Sequence, residues 1–196
     1  MPRTAEIARK TKETDIRISI DLDGRGENKI DTGIGFFDHM LTALSKHSGI
    51  NMDIYCKGDL NVDAHHSVED VGIVLGQAFK EAIGDKVGIR RYGSASIPMD
   101  EALGTCSLDI SGRAFLVFDC DFADEFCGTM DTQLFEEFFR SFAFNAEITL
   151  HIACPYGAND HHKAEAMFKA LARALREASE TDPRFEGEIV STKGSL

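Results

Sequence analysis

His65-His66-Ser67-Val68-Glu69 and His161-His162-Lys163-Ala164-Glu165 state one pattern twice, two adjacent histidines and then a glutamate, with 96 positions between the copies. Behind the first copy, Val68, Val71, Leu75, Ala78, Phe79 and Ala82 recur at helical spacing as far as Gly84. Ala164, Met167, Leu171, Ala174, Leu175 and Ala178 stand 96 positions further on. Six matched apolar positions and three matched polar ones mean that one supersecondary unit is present twice, so each half of the chain must build the same elements.

The elements ahead of the two helices follow from local pattern. Asp15 to Asp23 alternates, with Ile16, Ile18, Ile20 and Leu22 on one face, the period of a half-buried strand. Gly24 and Gly26 make a turn. After Thr32-Gly33-Ile34-Gly35, an amphipathic helix runs from Phe36 towards His47 and stops at Gly49. Ile50, Met52 and Ile54 form another strand. From Ile89 the order starts again: Leu108-Asp109-Ile110-Ser111-Gly112-Arg113 echoes Ile20-Asp21-Leu22-Asp23-Gly24-Arg25, Ala114 to Asp121 is a strand, and Gln133 to Asn145 is a Phe-rich helix. Ile148, Leu150 and Ile152 repeat the later strand, and Pro155-Tyr156-Gly157 turns into the second histidine-bearing helix. The expected fold is α/β (α+β), internally duplicated, with sheets packed against helices: one compact domain whose repeats are 1–92 and 93–196. An offset of 98, which aligns Ile50 with Ile148, also sets His39 against Glu137.

On a helix, positions four apart share a face, so His65 can meet Glu69 and His161 can meet Glu165. The second histidine of each pair is turned by about 100° and serves a different ion. Imidazole nitrogen with carboxylate oxygen suits Mn, Fe or Zn, and the thiolates of a closed structural zinc site are absent from the pattern. A single such motif is no more than a polar helix start, with Glu favoured by the dipole; its duplication favours metal. The formal net charge of −12 argues against nucleic acid or an anionic membrane as partner, and requires a local Arg and Lys cluster for any anionic substrate. Five cysteines without a CxxC pair read as reduced, buried thiols. The segment Met1-Pro2-Arg3-Thr4-Ala5-Glu6 lacks the apolar core of a secretion signal, and no apolar run reaches membrane-spanning length, so a cytoplasmic protein is expected.

Across nearly its whole length the chain resembles the imidazoleglycerol-phosphate dehydratase family. The residues that carry the likeness are Arg9-Lys10-Thr11-Lys12-Glu13-Thr14, Gly33 to Leu41, Asp63-Ala64-His65-His66 with Glu69-Asp70, Gly88-Ile89-Arg90-Arg91-Tyr92-Gly93, Phe138-Phe139-Arg140-Ser141-Phe142, Asn159-Asp160-His161-His162-Lys163 and Ser191-Thr192-Lys193-Gly194. The resemblance implies the duplicated ribosomal-protein-S5 domain 2-like fold, two Mn2+ ions per active site, and a homo-oligomeric shell of 24 subunits with active sites between subunits. It implies one ion held by His39, His66, His161 and Glu165, and the other by His65, Glu69, Glu137 and His162. Exchanging each residue with its repeat partner converts one set into the other. Position 137 is often His in the family and is Glu here, a carboxylate that also suits Mn. Ala43 stands where many members have Gln, and Ile189-Val190 lacks a common proline.

The implied reaction is loss of water from imidazoleglycerol phosphate, giving imidazole acetol phosphate. The C2 hydrogen has no neighbouring carbonyl to acidify it. Two ions gripping the imidazole would let ring electrons expel the C3 hydroxyl first. Glu13, which the resemblance sets at the substrate, is the expected acid/base, with Asp100 and Glu101 as other candidates. Arg91, Arg113, Ser191 and Lys193 match the family's phosphate-binding positions, and His47 is grouped with them. Lys169, two turns after His161 on the same face, could also approach the substrate. His151 faces away from the apolar side of its strand. Two rival classes fit paired metals: a dinuclear phosphohydrolase and a metal-storage helical bundle.

Overall fold

In the computed structural model, which describes residues 2–196, the chain runs through two four-stranded sheets. The first holds β1 (Thr4–Lys10), β2 (Thr14–Asp21), β4 (Asn51–Gly58) and β3 (Asn28–Asp31), hydrogen-bonded in that order. The second holds β5 (Tyr92–Met99), β6 (Ala102–Asp109), β10 (Thr149–Ala153) and β7 (Phe115–Asp119) in the same connectivity. In each sheet the central pair is antiparallel, and the last strand joins it in parallel. Each parallel return needs a helical crossover. These are α1 (Gly35–Ser48) in the first half and α3 (Gln133–Ala146) in the second. The long helices α2 (His65–Ile83) and α4 (Asp160–Ser179) complete the two halves. With this much strand, the helical-bundle reading is excluded.

The duplication holds residue by residue. β2 and β6 start and end 88 positions apart (14 and 102, 21 and 109), whereas α1 and α3 are 98 apart at both ends (35 and 133, 48 and 146). The ten-residue difference is an insertion between β7 and α3 that contains the small hairpin β8 (Phe126–Cys127) and β9 (Met130–Asp131). No apolar alternation marks that hairpin in the sequence. β2 stops at Asp21, short of the expected Asp23, because the Asp21 carbonyl and carboxylate accept the backbone N–H of Gly24 and Asp23 and turn the chain.

The core lies between the two halves. Phe37, Phe79, Phe135, Phe138, Phe139, Phe142 and Phe168 are all fully buried there. α3 can lie close on α2 because Gly76 has no side chain: a Cβ there would stand 2.7 Å from the Phe142 carbonyl oxygen. α1 ends where Gly49 adopts φ 80° and returns its N–H to the Ser45 carbonyl, a left-handed stop that glycine makes at little cost. All five cysteines are free thiols, four of them buried. Among the described residues no helix is long and apolar enough to cross a membrane.

Candidate active site

The N-termini of α1 and α4 meet. At α1, Thr32 donates to the Asp38 carboxylate through both its backbone N–H (2.9 Å) and its hydroxyl (2.5 Å), which fixes the first turn and the neighbouring His39. At α4, the Asn159 side chain accepts the His162 N–H. Below it Asp160, almost fully buried, accepts backbone N–H from Ala123 (2.8 Å) and Asp124 (2.7 Å) and pairs with buried Lys163 (2.7 Å). Lys163 also donates to the Asp121 carbonyl at 2.9 Å. This clasp ties the segment after β7 to the start of the histidine-bearing helix.

Removing half of it should be costly. Asp160→Ala strands the Lys163 cation in the interior, and we expect a loss of about 3 to 5 kcal/mol in denaturant unfolding. Burial alone would raise the Asp160 pKa, but Lys163 and the two backbone N–H groups outweigh it and hold it below the ordinary value. A depressed carboxylate stabilises above its unfolded pKa, so the contribution is full at neutral pH and fades as pH falls below the usual aspartate range, about 3.9. Asp160→Asn should flatten that acid limb; an unchanged acid profile would count against the clasp.

Between the two helix ends, His39, His161 and Glu165 each present a ligand atom, all within 4.8 Å of one another. Glu165 Oε2 lies 3.4 Å from His39 Nε2 and 3.1 Å from His161 Nε2, while its Oε1 pairs with Lys169 at 2.7 Å. The carboxylate is buried and the imidazoles are half-exposed, with Phe36 edge-on to His161 at 5.0 Å between ring centroids. Burial pushes the Glu165 pKa up, yet Lys169 and the imidazoles together leave it lowered, so it is an anion at neutral pH. Two nitrogens and one anionic oxygen converging from one side form half a coordination shell for a borderline divalent cation.

The repeat-related group is looser. His65 Nε2 is 4.0 Å from Glu69 Oε2, and His65 and Glu137 border one cleft of about 450 Å³. There Glu137 is held by Arg140 at 3.1 Å, and the same guanidinium takes Glu136 at 2.7 Å. A histidine at 137 would not attract that cation. The second histidine of each pair faces elsewhere, as a 100° rotation requires. His66 donates through Nδ1 to Asp59 (3.1 Å) and has Nε2 at 3.8 Å from Glu13; His162 donates through Nδ1 to Glu101 (2.8 Å) and has Nε2 at 3.8 Å from Asp100. Those bonds raise both imidazole pKa values, and the bond from His162 holds Glu101 down to about 2.

Glu13 rides on the turn between β1 and β2. Thr11 Oγ accepts the Glu13 and Thr14 N–H groups there, and buried Asp70 of α2 takes the Thr14 hydroxyl and Arg9, each at 2.5 Å. Arg91, Arg113, Ser191 and Lys193, far apart in sequence, line one cleft of about 640 Å³. Arg91 is largely committed within it: Nε and Nη2 grip Asp109 (2.7 and 3.0 Å), and Nη1 takes the Val190 carbonyl (2.6 Å), anchoring the C-terminal tail. Arg113 and Lys193 are the exposed cations of this cleft, with Arg113 3.6 Å from Asp109. His47 and Lys169 are not in this cleft. Lys169 is paired to Glu165, and it lowers the His47 pKa, second only to burial. The carboxylates that do the orienting, Asp59, Asp70, Asp109 and Asp160, are not candidates on sequence grounds: Asp70 and Asp109 take partners far along the chain, and the short spacings from Asp59 to His66 and from Asp160 to Lys163 are ones that any loop or helix surface shows.

Fold and site together define an internally duplicated α/β enzyme that sets histidine–carboxylate clusters apart from a cationic cleft. The family model described as imidazoleglycerol-phosphate dehydratase matches residues 32–175. The imidazoleglycerol-phosphate dehydratase of Acetivibrio thermocellus is 58% identical over 196 residues, covering 100% of both chains, and that of Gluconacetobacter diazotrophicus is 61% identical over 194 residues, covering 99% of this chain and 98% of its own. The crystal structure of the Staphylococcus aureus enzyme superposes with a TM-score of 0.83 at 44% identity, covering 91% of this chain and 99% of that one. A Pyrococcus furiosus structure gives 0.84 at 38%, covering 97% and 100%. The chain belongs to the imidazoleglycerol-phosphate dehydratase family. It is a hydro-lyase of histidine biosynthesis that dehydrates imidazoleglycerol phosphate, and the phosphohydrolase reading finds no support.

Proposed function

We propose that this dehydration uses two Mn2+ ions per active site, and that each site is assembled between copies of the chain. The observation that carries the reading is the convergence of His39, His161 and Glu165, three donors with both imidazoles half-exposed. His66 would complete that set from a neighbouring copy. His65, Glu69 and Glu137 would form the second set, completed by His162. His66 and His162 present Nε2 away from the clusters on their own helices, which is what donation to another copy requires.

Length supports the same reading. On one chain the cationic cleft lies beside Ala178, whose carbonyl accepts the Arg91 N–H, thirteen residues along α4 from Glu165. At 1.5 Å per residue that is about 20 Å. A ring, a three-carbon chain and a phosphate cannot span it, so groups from different copies would serve one substrate, in a closed shell of 24 subunits in the cytoplasm.

Bound ions would supply Lewis acidity at the substrate imidazole. The remaining chemistry falls to the protein. Glu165, ionised and fixed by Lys169, supplies the anionic oxygen of the first set. Glu13, exposed beside His66, gives a proton to the departing C3 hydroxyl and then, as the carboxylate, takes one from C2. Arg113, Ser191 and Lys193 bind the phosphate, with Arg91 holding the tail that bears two of them.

Chelation tests the assembly. Because each set would draw on two copies, EDTA should convert the particle to a smaller species by light scattering, and Mn2+ should restore it. A particle of unchanged size after full metal removal would contradict the proposal.

A further inference from the structure

Two carboxylates outside the family's ligand set perform one task in the two halves of the molecule. Glu101, on the turn between β5 and β6, accepts the Ala158 and Asn159 backbone N–H groups on Oε1 (3.0 and 2.8 Å) and takes His162 Nδ1 on Oε2 at 2.8 Å. It therefore fixes both the loop that opens α4 and the imidazole one turn inside it. Asp59, on the loop between β4 and α2, receives His66 Nδ1 on both oxygens, at 3.2 and 3.1 Å.

The repeat does not account for this. Glu101 lies 88 positions after Glu13, by the offset that relates β2 to β6, and Glu13 faces His66 Nε2 instead of Nδ1. At 98 positions after Asp59, the offset relating β4 to β10, stands Gly157. The Nδ1 acceptor thus comes from different positions in the two halves: Glu101 has its counterpart Glu13 on the other ring nitrogen, and Asp59 has glycine as its counterpart. The shared feature is the outcome, an imidazole whose Nδ1 is occupied and whose Nε2 is presented outward.

We infer that Glu101 and Asp59 are positioning residues: by accepting from Nδ1, they hold His162 and His66 in the tautomer that leaves the Nε2 lone pair free for a metal ion. This rests on the reading of His66 and His162 as ligands. The effect is chemical as well as geometric, since a neutral imidazole carries one N–H and the carboxylate decides which nitrogen bears it.

Glu101→Gln separates the two contributions. The amide oxygen can still accept from Ala158 and Asn159, so the loop and the fold are kept, but its NH2 group now faces Nδ1, which must become the acceptor. The proton moves to Nε2 and blocks the lone pair. We expect Mn2+ titration by calorimetry, with bound metal counted by elemental analysis, to show the weaker ion held roughly 10- to 100-fold less tightly, and the tighter ion unchanged. Asp59→Ala, which removes the acceptor from His66 Nδ1 altogether, should weaken the other ion, and Glu101→Asp, too short to span loop and imidazole together, should not rescue. His162→Ala is the control for the underlying reading. If it still binds two ions per chain, His162 is no ligand and that reading fails. If it loses one ion while Glu101→Gln leaves the isotherm unchanged, His162 is a ligand and the positioning role is overturned.

Discussion

Glu13→Gln should abolish turnover while leaving two Mn2+ per chain. General acid–base groups contribute roughly 10²- to 10⁴-fold, and the loss should lie at the upper end, since Glu13 serves both proton transfers. The turn bearing Glu13 is fixed from beneath by Asp70 through Thr14 and Arg9, so an isosteric amide at its exposed tip leaves the fold undisturbed. Steady-state kinetics with metal analysis on the same sample decide it. If the variant loses metal, Glu13 is a ligand; if kcat holds, the proton carrier lies elsewhere, with Asp100 next in position beside His162.

His161→Ala should have an effect as large by a different route. It removes one of three converging donors, so the variant should bind one fewer Mn2+ per chain. Loss of about 4 kcal/mol of charge stabilisation corresponds to about a thousandfold in rate. Because Glu165 is still held by Lys169 and the Asp160–Lys163 clasp is untouched, circular dichroism should not change. Full metal content in this variant would remove His161 from the ligand set.

Much of the architecture was legible in the sequence because it is periodic. All four helices and the strands β2, β4 and β10 carry alternation or helical spacing strong enough to be read locally, and β7 is a short apolar run. β1 and β3 are edge strands of the first sheet whose faces are mostly exposed or half-buried, so little apolar pattern marks them. The β8–β9 hairpin is two residues a side and interrupts the repeat. For the site, repetition singled out His65, His66, Glu69, His161, His162 and Glu165, and His39 with Glu137 followed from the 98-residue offset. What the sequence could not carry is tertiary. Arg140 reaches Glu137 by an ordinary one-turn spacing, which any helix surface shows. Arg91 was expected to face a phosphate, and most of its donors are instead spent on Asp109 and Val190. Glu101 and Asp160 gain their roles only when distant segments meet at the start of α4.

Sharing of each active site between copies is the central claim, and co-expression of two inactive chains tests it most directly. In Glu13→Gln the His39, His161 and Glu165 cluster is intact; in His161→Ala the His65, His66 and Glu13 face is intact. If sites form between copies, mixed particles contain some sites built wholly from sound parts, and dehydratase activity should reappear well above that of either variant alone. If every chain carries its own complete site, the mixed particles will be as inactive as the two parents.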